Sequence, residues 1–270
     1  MNGRRILLDV GGTFIKCGDG RSVPIDSDGT REVISASLRE AVGPWADGDL
    51  VGVAIPGPFD YGKGIFLMKH KFAAVYGENF RDLAGLPESA DVRFIHDVNC
   101  MLLGELSTGA AKGFRNVALV TLGTGLGFSM AIDGEILKAP TGSPLVSVYS
   151  RPFQDGILED FASKRGIMRL YNLFGGTPAG SVKEIADKAA QGYIPALGAF
   201  REAGEILALS LRDILSEYGI ECLLFGGQIS KSFRFMEEAF GSLSGPVKKI
   251  APVSDFDRAT FNGLEVFLTA

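Results

Sequence analysis

Leu7-Leu8-Asp9-Val10-Gly11-Gly12-Thr13-Phe14-Ile15-Lys16 decides how this chain is read. Ile6-Leu7-Leu8 and Phe14-Ile15 are apolar runs too short for separate helices, so the stretch reads as strand, glycine turn, strand. Gly11 and Gly12 let the backbone turn without a side chain in the way. The N–H groups of such a turn can surround phosphate oxygens, and Thr13 adds a hydroxyl donor. Asp9, at the mouth of the strand, is placed to hold a metal ion or its waters, and Lys16 is a candidate counter-charge. Taken alone, the same residues also describe an ordinary hairpin.

The 270 residues are 46% hydrophobic and 22% charged, a globular composition with length for one large or two small domains. A net charge of −5 with no Lys/Arg block argues against a nucleic-acid surface. There is no signal-peptide core and no membrane-spanning run, and Cys17, Cys100 and Cys222 are scattered like small buried hydrophobes. A cytoplasmic protein is the expectation.

Outward from the opening stretch, Gly18-Asp19-Gly20 turns the chain into a third strand, Arg21 to Ile25. Residues 28–43 carry helical spacing, with Val33, Ile34, Leu38 and Val42 on one face and Thr30 as cap. Leu50-Val51-Gly52-Val53-Ala54-Ile55 is apolar throughout, as in a central strand buried on both faces, and ends in Pro56-Gly57-Pro58. Val92 to Ile95 is a further strand running into His96-Asp97-Val98-Asn99, after which a helix is expected to about Ala111. Gly109 to Gly113 is a candidate hinge. Then the pattern restarts: Asn116–Thr121 as strand, Gly123-Thr124-Gly125-Leu126-Gly127 as glycine turn, Phe128–Ile132 as strand. Helices are expected over Ile157–Leu173, Val182–Gln191, Pro195–Tyr218, Phe233–Phe240 and Thr260–Thr269. Glu221–Phe225 reads as a buried strand ending in Gly226-Gly227.

Two glycine turns in repeated halves would clamp a polyphosphate from both sides. Neither is a Walker A loop, and Gly123-x-Gly125-x-Gly127 lacks the dinucleotide spacing and a following helix. Asp97, just past a strand, can take a proton from a bound hydroxyl, or can simply cap the helix. Gly226-Gly227 can border a flat ring or form a plain turn. Glu159 can accept bonds from a polar ligand, or sit as a solvated first-turn residue. His70 reads as a surface residue; His96, beside Asp97, is a candidate ligand contact.

These motifs together resemble the ROK family (repressors, open reading frames and sugar kinases) of the actin-like ATPase superfamily. Residues 9–13 look like its first phosphate motif, Leu122–Gly127 its second, and Leu224-Phe225-Gly226-Gly227-Gln228-Ile229-Ser230 its adenosine motif. Residues 53–58 are similar to its Pro-Gly sugar-side loop, and His96-Asp97-Val98-Asn99 matches its Asn-Asp-x-Asn segment. The resemblance implies a two-lobed α/β actin-like (ribonuclease H-like) fold, with mixed sheets flanked by helices and a ligand cleft between lobes. It implies a small lobe of residues 1–108 plus the C-terminal helix 257–270, and a large lobe of 109–256. It implies Asp97 as catalytic base; Gly11, Gly12, Thr13, Lys16, Gly123, Thr124, Gly125 and Gly127 on ATP phosphates; and Gly226 and Gly227 at the adenosine. Gly57, His96, Asp97 and Glu159 would face the sugar, and Asp9 would hold Mg²⁺ through water. A homodimer is the family's common habit.

The departures fall on the sugar side. Where the family has zinc-binding cysteines, this chain has Ser150, Pro152 and Ile157, and its Glu-x-Gly-His segment is Pro140-Thr141-Gly142-Ser143. No structural zinc is expected, the sugar-binding Glu is missing, and His96 replaces an Asn. A ROK repressor carries an N-terminal helix-turn-helix; this chain opens on its first strand, so the repressor branch is not expected. The expected activity is transfer of the ATP γ-phosphate to a sugar hydroxyl, foremost the 6-hydroxyl of a hexose such as glucose. The alternatives are a kinase for an N-acetylated or otherwise modified sugar, or a degenerate ATP- and sugar-binding sensor.

Overall fold

The computed structural model describes residues 3–243 and 245–269. Strand β1 (Arg5–Val10) turns through Gly11–Thr13 into β2 (Phe14–Cys17), and β3 (Ser22–Pro24) completes an antiparallel meander. Helix α1 (Arg31–Val42) starts on Thr30, whose hydroxyl accepts the Val33 N–H at 3.4 Å. It buries Ile34, Leu38, Ala41 and Val42. Val33, expected on that face, is 46% exposed, because it lies one position, about 100°, off the buried stripe.

β4 (Leu50–Ile55) lies parallel to β1, and β5 (Phe59–Asp60) and β6 (Ile65–Phe66) form a small separate hairpin. After α2 (Phe80–Ala84), capped by Asn79, β7 (Asp91–His96) joins β4 in parallel and leads directly into α3 (Asp97–Ser107). The sheet order is β3-β2-β1-β4-β7. Its two faces are both covered, and side chains alternate between them as the strand period requires. Leu8, Val10, Val53 and Ile55 enter one core with Ile34 and Leu38, while Leu7 and Ala54 enter the other with Cys100 and Leu264.

The second five-stranded sheet is built the same way: β8 (Val117–Leu122), β9 (Leu126–Ile132), β10 (Glu135–Ile136), β11 (Pro152–Phe153) and β12 (Gly156–Ile157) as a hairpin apart, then β13 (Cys222–Gly226) and β14 (Lys249–Pro252). Its order, β10-β9-β8-β13-β14, repeats that of the first sheet: an antiparallel three-strand meander, then two strands parallel to the first. Helices α4 (Leu158–Ala162), α5 (Lys164–Leu173), α6 (Val182–Ala190) and α7 (Ile194–Glu217) supply one large apolar core with it. The single helix expected over 157–173 is broken at Ser163, which is extended (φ −109°, ψ −169°). Gly166 lies so close to Phe161 that a Cβ would come 2.1 Å from its carbonyl, and the Lys164 N–H is turned away to Gly123 O at 3.0 Å. In place of a helix over 233–240 there are 3-10 turns at Gln228–Phe235 and Glu237–Leu243, where Phe233 and Phe240 fold onto Phe225 with ring centroids 4.9 and 4.7 Å away.

The last helix, α8 (Ala259–Thr269), packs on α3 and β4. The chain thus divides into a first unit of residues up to Ser107, Lys138–Leu145 and from Asp257 onward, and a second of Thr108–Leu137 and Val146–Phe256. This corrects the expected division at one segment. Residues 138–145 do not stay with the second unit: Asn99 donates to Gly142 O at 3.2 Å, and Gly142 lies against the ring of Tyr61.

Candidate active site

In the first unit the parallel strands bring their carboxyl ends to one edge. Asp9 pairs in register with Ala54, Ala54 with Ile95, and Ile55 with His96. Asp9, the Gly57 loop, His96 and Asp97 therefore share the edge at which open α/β sheets take ligands. The Gly11 N–H closes the turn on Phe14 O at 2.9 Å. The N–H groups of Gly12 and Thr13 make no hydrogen bond among the described residues, so two donors stand open at the turn. Lys16 lies opposite Asp9 on β2.

The two carboxylates at this edge are shifted in opposite directions. Burial, and after it the charge of Asp97, raise the Asp9 pKa from 3.8 to about 7, with Lys16 partly offsetting them. Burial also works against ionisation of Asp97. That effect is outweighed by His96, whose Nδ1 lies 3.0 Å from Oδ1, by the Val98 N–H at 2.8 Å, and by the charge of Lys71, so its pKa is lowered. Asp97 is the carboxylate ready to accept a proton; Asp9 holds its own proton up to about pH 7. A divalent metal fits such a position, since its charge would offset both burial and Asp97. Cys100 lies near the pair, and burial followed by their charges pushes its thiol well up.

Gly57 sits between Tyr61 and His96. A Cβ there would come 3.2 Å from the Tyr61 hydroxyl and 3.6 Å from His96 Cδ2. Tyr61 donates to Ile55 O at 3.0 Å, and its ring centroid lies 5.9 Å from that of His96. The sequence reading missed Tyr61; its place three residues after Pro58 was the available signal. His70 is exposed, as expected.

In the second unit, Gly123–Gly125 turns β8 into β9. The Thr124 and Gly125 N–H groups make no hydrogen bond among the described residues, and Gly123 faces open space. Glu159, expected beside a sugar, has both oxygens engaged within its unit: Oε2 accepts the Leu126 N–H at 2.9 Å and Oε1 pairs with Arg165 at 3.0 Å. Gly125 permits this, since a Cβ would sit 2.7 Å from Glu159 Oε2. Gly226 ends β13 in register with Thr121, beside the loop. At Gly227 (φ 81°) a Cβ would lie 2.4 Å from Leu122 O, so the backbone of β8 accounts for this glycine without a ligand.

The donor set for zinc does not fit. Ser150, Pro152 and Ile157 provide no thiolate or imidazole, and the segment is held instead by the β11–β12 hairpin and by Phe153 on Phe161, with centroids 5.0 Å apart. No described helix is long and apolar enough to cross a membrane.

Two sheets of one topology, each with a glycine turn at the carboxyl end of its first strand, make an actin-like ATPase fold. A solved structure of a ROK family glucokinase from Streptomyces griseus, in complex with glucose and AMPPNP, superposes with a TM-score of 0.80 over 98% of this chain and 99% of its own, at 22% identity. The ROK family profile matches residues 19–144. The glucokinase of Thermotoga maritima is 25% identical over 265 residues, 84% of this chain and 82% of its own. The glucokinase of Streptomyces coelicolor is 30% identical over 160 residues, so that the chain spans half the length of that relative. The chain is thus similar to the ROK family over residues 19–144, a little under half of its length.

Proposed function

We propose that this protein is an ATP-dependent sugar kinase, transferring the γ-phosphoryl group of ATP to a sugar hydroxyl, foremost the 6-hydroxyl of a hexose such as glucose. The observation that carries this reading is the unlike pair Asp97 and Asp9 at one sheet edge beside open N–H donors. Phosphoryl transfer to an alcohol needs a base at the nucleophile, donors for the phosphate oxygens and a metal to neutralise charge.

Asp97 takes the hydroxyl proton. The hydroxyl oxygen bonds to the γ-phosphorus, the bond from phosphorus to the β–γ bridging oxygen breaks, and ADP leaves with that electron pair. Asp97 then returns its proton to water, giving a sugar phosphate. Gly12 and Thr13 offer N–H groups to phosphate oxygens, with Lys16 adding charge, and Thr124 and Gly125 form a second open turn of the same kind. Asp9 would hold Mg²⁺, whose charge would neutralise that of the phosphates. His96 holds Asp97 ionised through Nδ1 and presents Nε2 towards a sugar hydroxyl beside Gly57. Glu159 is assigned to the glycine loop, fixing Leu126 in place, and Gly226-Gly227 to the adenosine side.

The test is product identification. The purified protein, incubated with Mg-ATP and a panel of hexoses and N-acetylated amino sugars, should yield a sugar phosphate visible by mass spectrometry. ATP binding without any sugar phosphate across the panel would contradict a kinase and favour a binding protein.

A further inference from the structure

The first glycine loop has a lysine that lies far from it in sequence. Lys71 runs along Gly12: its Cδ and Cε each lie 3.7 Å from where a Gly12 Cβ would sit. The ammonium, one bond further, is thus carried at the loop whose Gly12 and Thr13 N–H groups are open. Two backbone bonds pin the segment there. The Ser27 N–H donates to Gly12 O at 3.1 Å, and the Phe72 N–H donates to Ser27 O at 2.6 Å. Phe72 itself is fully buried in a left-handed conformation (φ 55°, ψ 25°), which a bulky side chain rarely adopts. Strain of this kind persists where the surrounding structure holds it, and it tends to lie at functional sites. Here it fixes the direction in which the preceding residue leaves the core.

Lys71 makes no ion pair or hydrogen bond among the described residues, although its charge reaches Asp97. A half-buried cation between the loop and a carboxylate base, with no anion of its own, marks where negative charge arrives.

We propose that Lys71 binds the transferred phosphoryl group, offsetting charge that develops on its oxygens as the bond to ADP breaks. This rests on the kinase reading above. Lys71 would act beside the metal, from the side of the base.

Lys71→Met keeps the stem on Gly12 and removes the charge; Lys71→Arg keeps the charge. With Mg²⁺ present, the affinities of ADP and of a non-hydrolysable ATP analogue are measured by calorimetry. Lys71→Met should lose roughly 10- to 100-fold in analogue affinity, as for a hydrogen bond to a charged group, with ADP changed by less than about threefold. Lys71→Arg should recover most of the loss. In turnover, kcat should fall for Lys71→Met. The acid limb of its rate profile should move to higher pH, because Asp97 then faces only His96 and the Val98 N–H against Asp9, Tyr61 and Cys100. An unchanged analogue-to-ADP ratio in Lys71→Met would overturn the proposal. Wild-type protein that binds both nucleotides but phosphorylates no sugar would overturn the kinase reading alone, leaving Lys71 to be judged on the affinity ratio; binding of neither nucleotide would overturn both.

Discussion

Replacing Asp9 with Asn should stabilise the first unit, and more so as pH rises. In the folded protein its pKa is raised from 3.8 to about 7. A group whose folded pKa is raised contributes stability that is fully present below its unfolded pKa and lost as pH climbs through the folded one. The window is therefore pH 3.8 to 7. The shift corresponds to about 4 kcal/mol at 1.36 kcal/mol per pK unit, of which about 2.5 kcal/mol is lost between pH 5 and pH 8. Asn cannot ionise and escapes that loss. Trp45, the single tryptophan, packs against the first unit's core, so its fluorescence reports this unit's unfolding. In EDTA, the melting temperature of Asp9→Asn relative to wild type should rise by roughly 5–10 °C on going from pH 5 to pH 8. Mg²⁺ at pH 8 should raise the wild type and leave the variant unmoved. An offset between the two proteins that is the same at both pH values would refute the buried, proton-holding Asp9.

His96→Ala should move the acid limb of kcat/KM to higher pH, since it removes the strongest influence holding Asp97 below its usual value; a pH-rate profile checks this. Gly227→Ala forces a Cβ to within 2.4 Å of Leu122 O at φ 81° and should cost about 3 kcal/mol or more in urea unfolding. Glu159→Ala frees the Leu126 N–H and leaves Arg165 with Asp160 as its remaining partner, and should weaken nucleotide binding by roughly tenfold in calorimetry, whereas Glu159→Gln keeps an acceptor for Leu126 and should lose less.

What the sequence made legible follows its periodicities. β1, the turn at Gly11–Thr13 and β4 could be read directly, because a strand buried on both faces leaves an unbroken apolar run and a turn leaves glycines. The repetition of that signal after residue 116 gave the second sheet. The break at Ser163 left no such mark: it comes from Gly166 meeting the Phe161 backbone, a tertiary contact inside a helix-forming segment. Segment 138–145 looks like a plain excursion from the second half until Asn99 and Tyr61 are seen to hold it. Side-chain roles were the least legible. Asp97 could be singled out by its place after a strand, but the ionisation contrast with Asp9 needs the sheet register and the surrounding charges. Glu159 carries no local hint that its carboxylate reaches Leu126. Lys71 is invisible in sequence because only the Gly12–Ser27–Phe72 chain of hydrogen bonds brings it to the loop.

Asp97 is proposed as the base in a sugar-dependent phosphoryl transfer. Its most direct test compares sugar-stimulated ADP release from Mg-ATP by wild type and Asp97→Asn, with nucleotide affinity measured in both. The variant should lose on the order of 10²- to 10⁴-fold in sugar-stimulated rate while binding nucleotide as wild type does. A variant that releases ADP in response to sugar at the wild-type rate would contradict it.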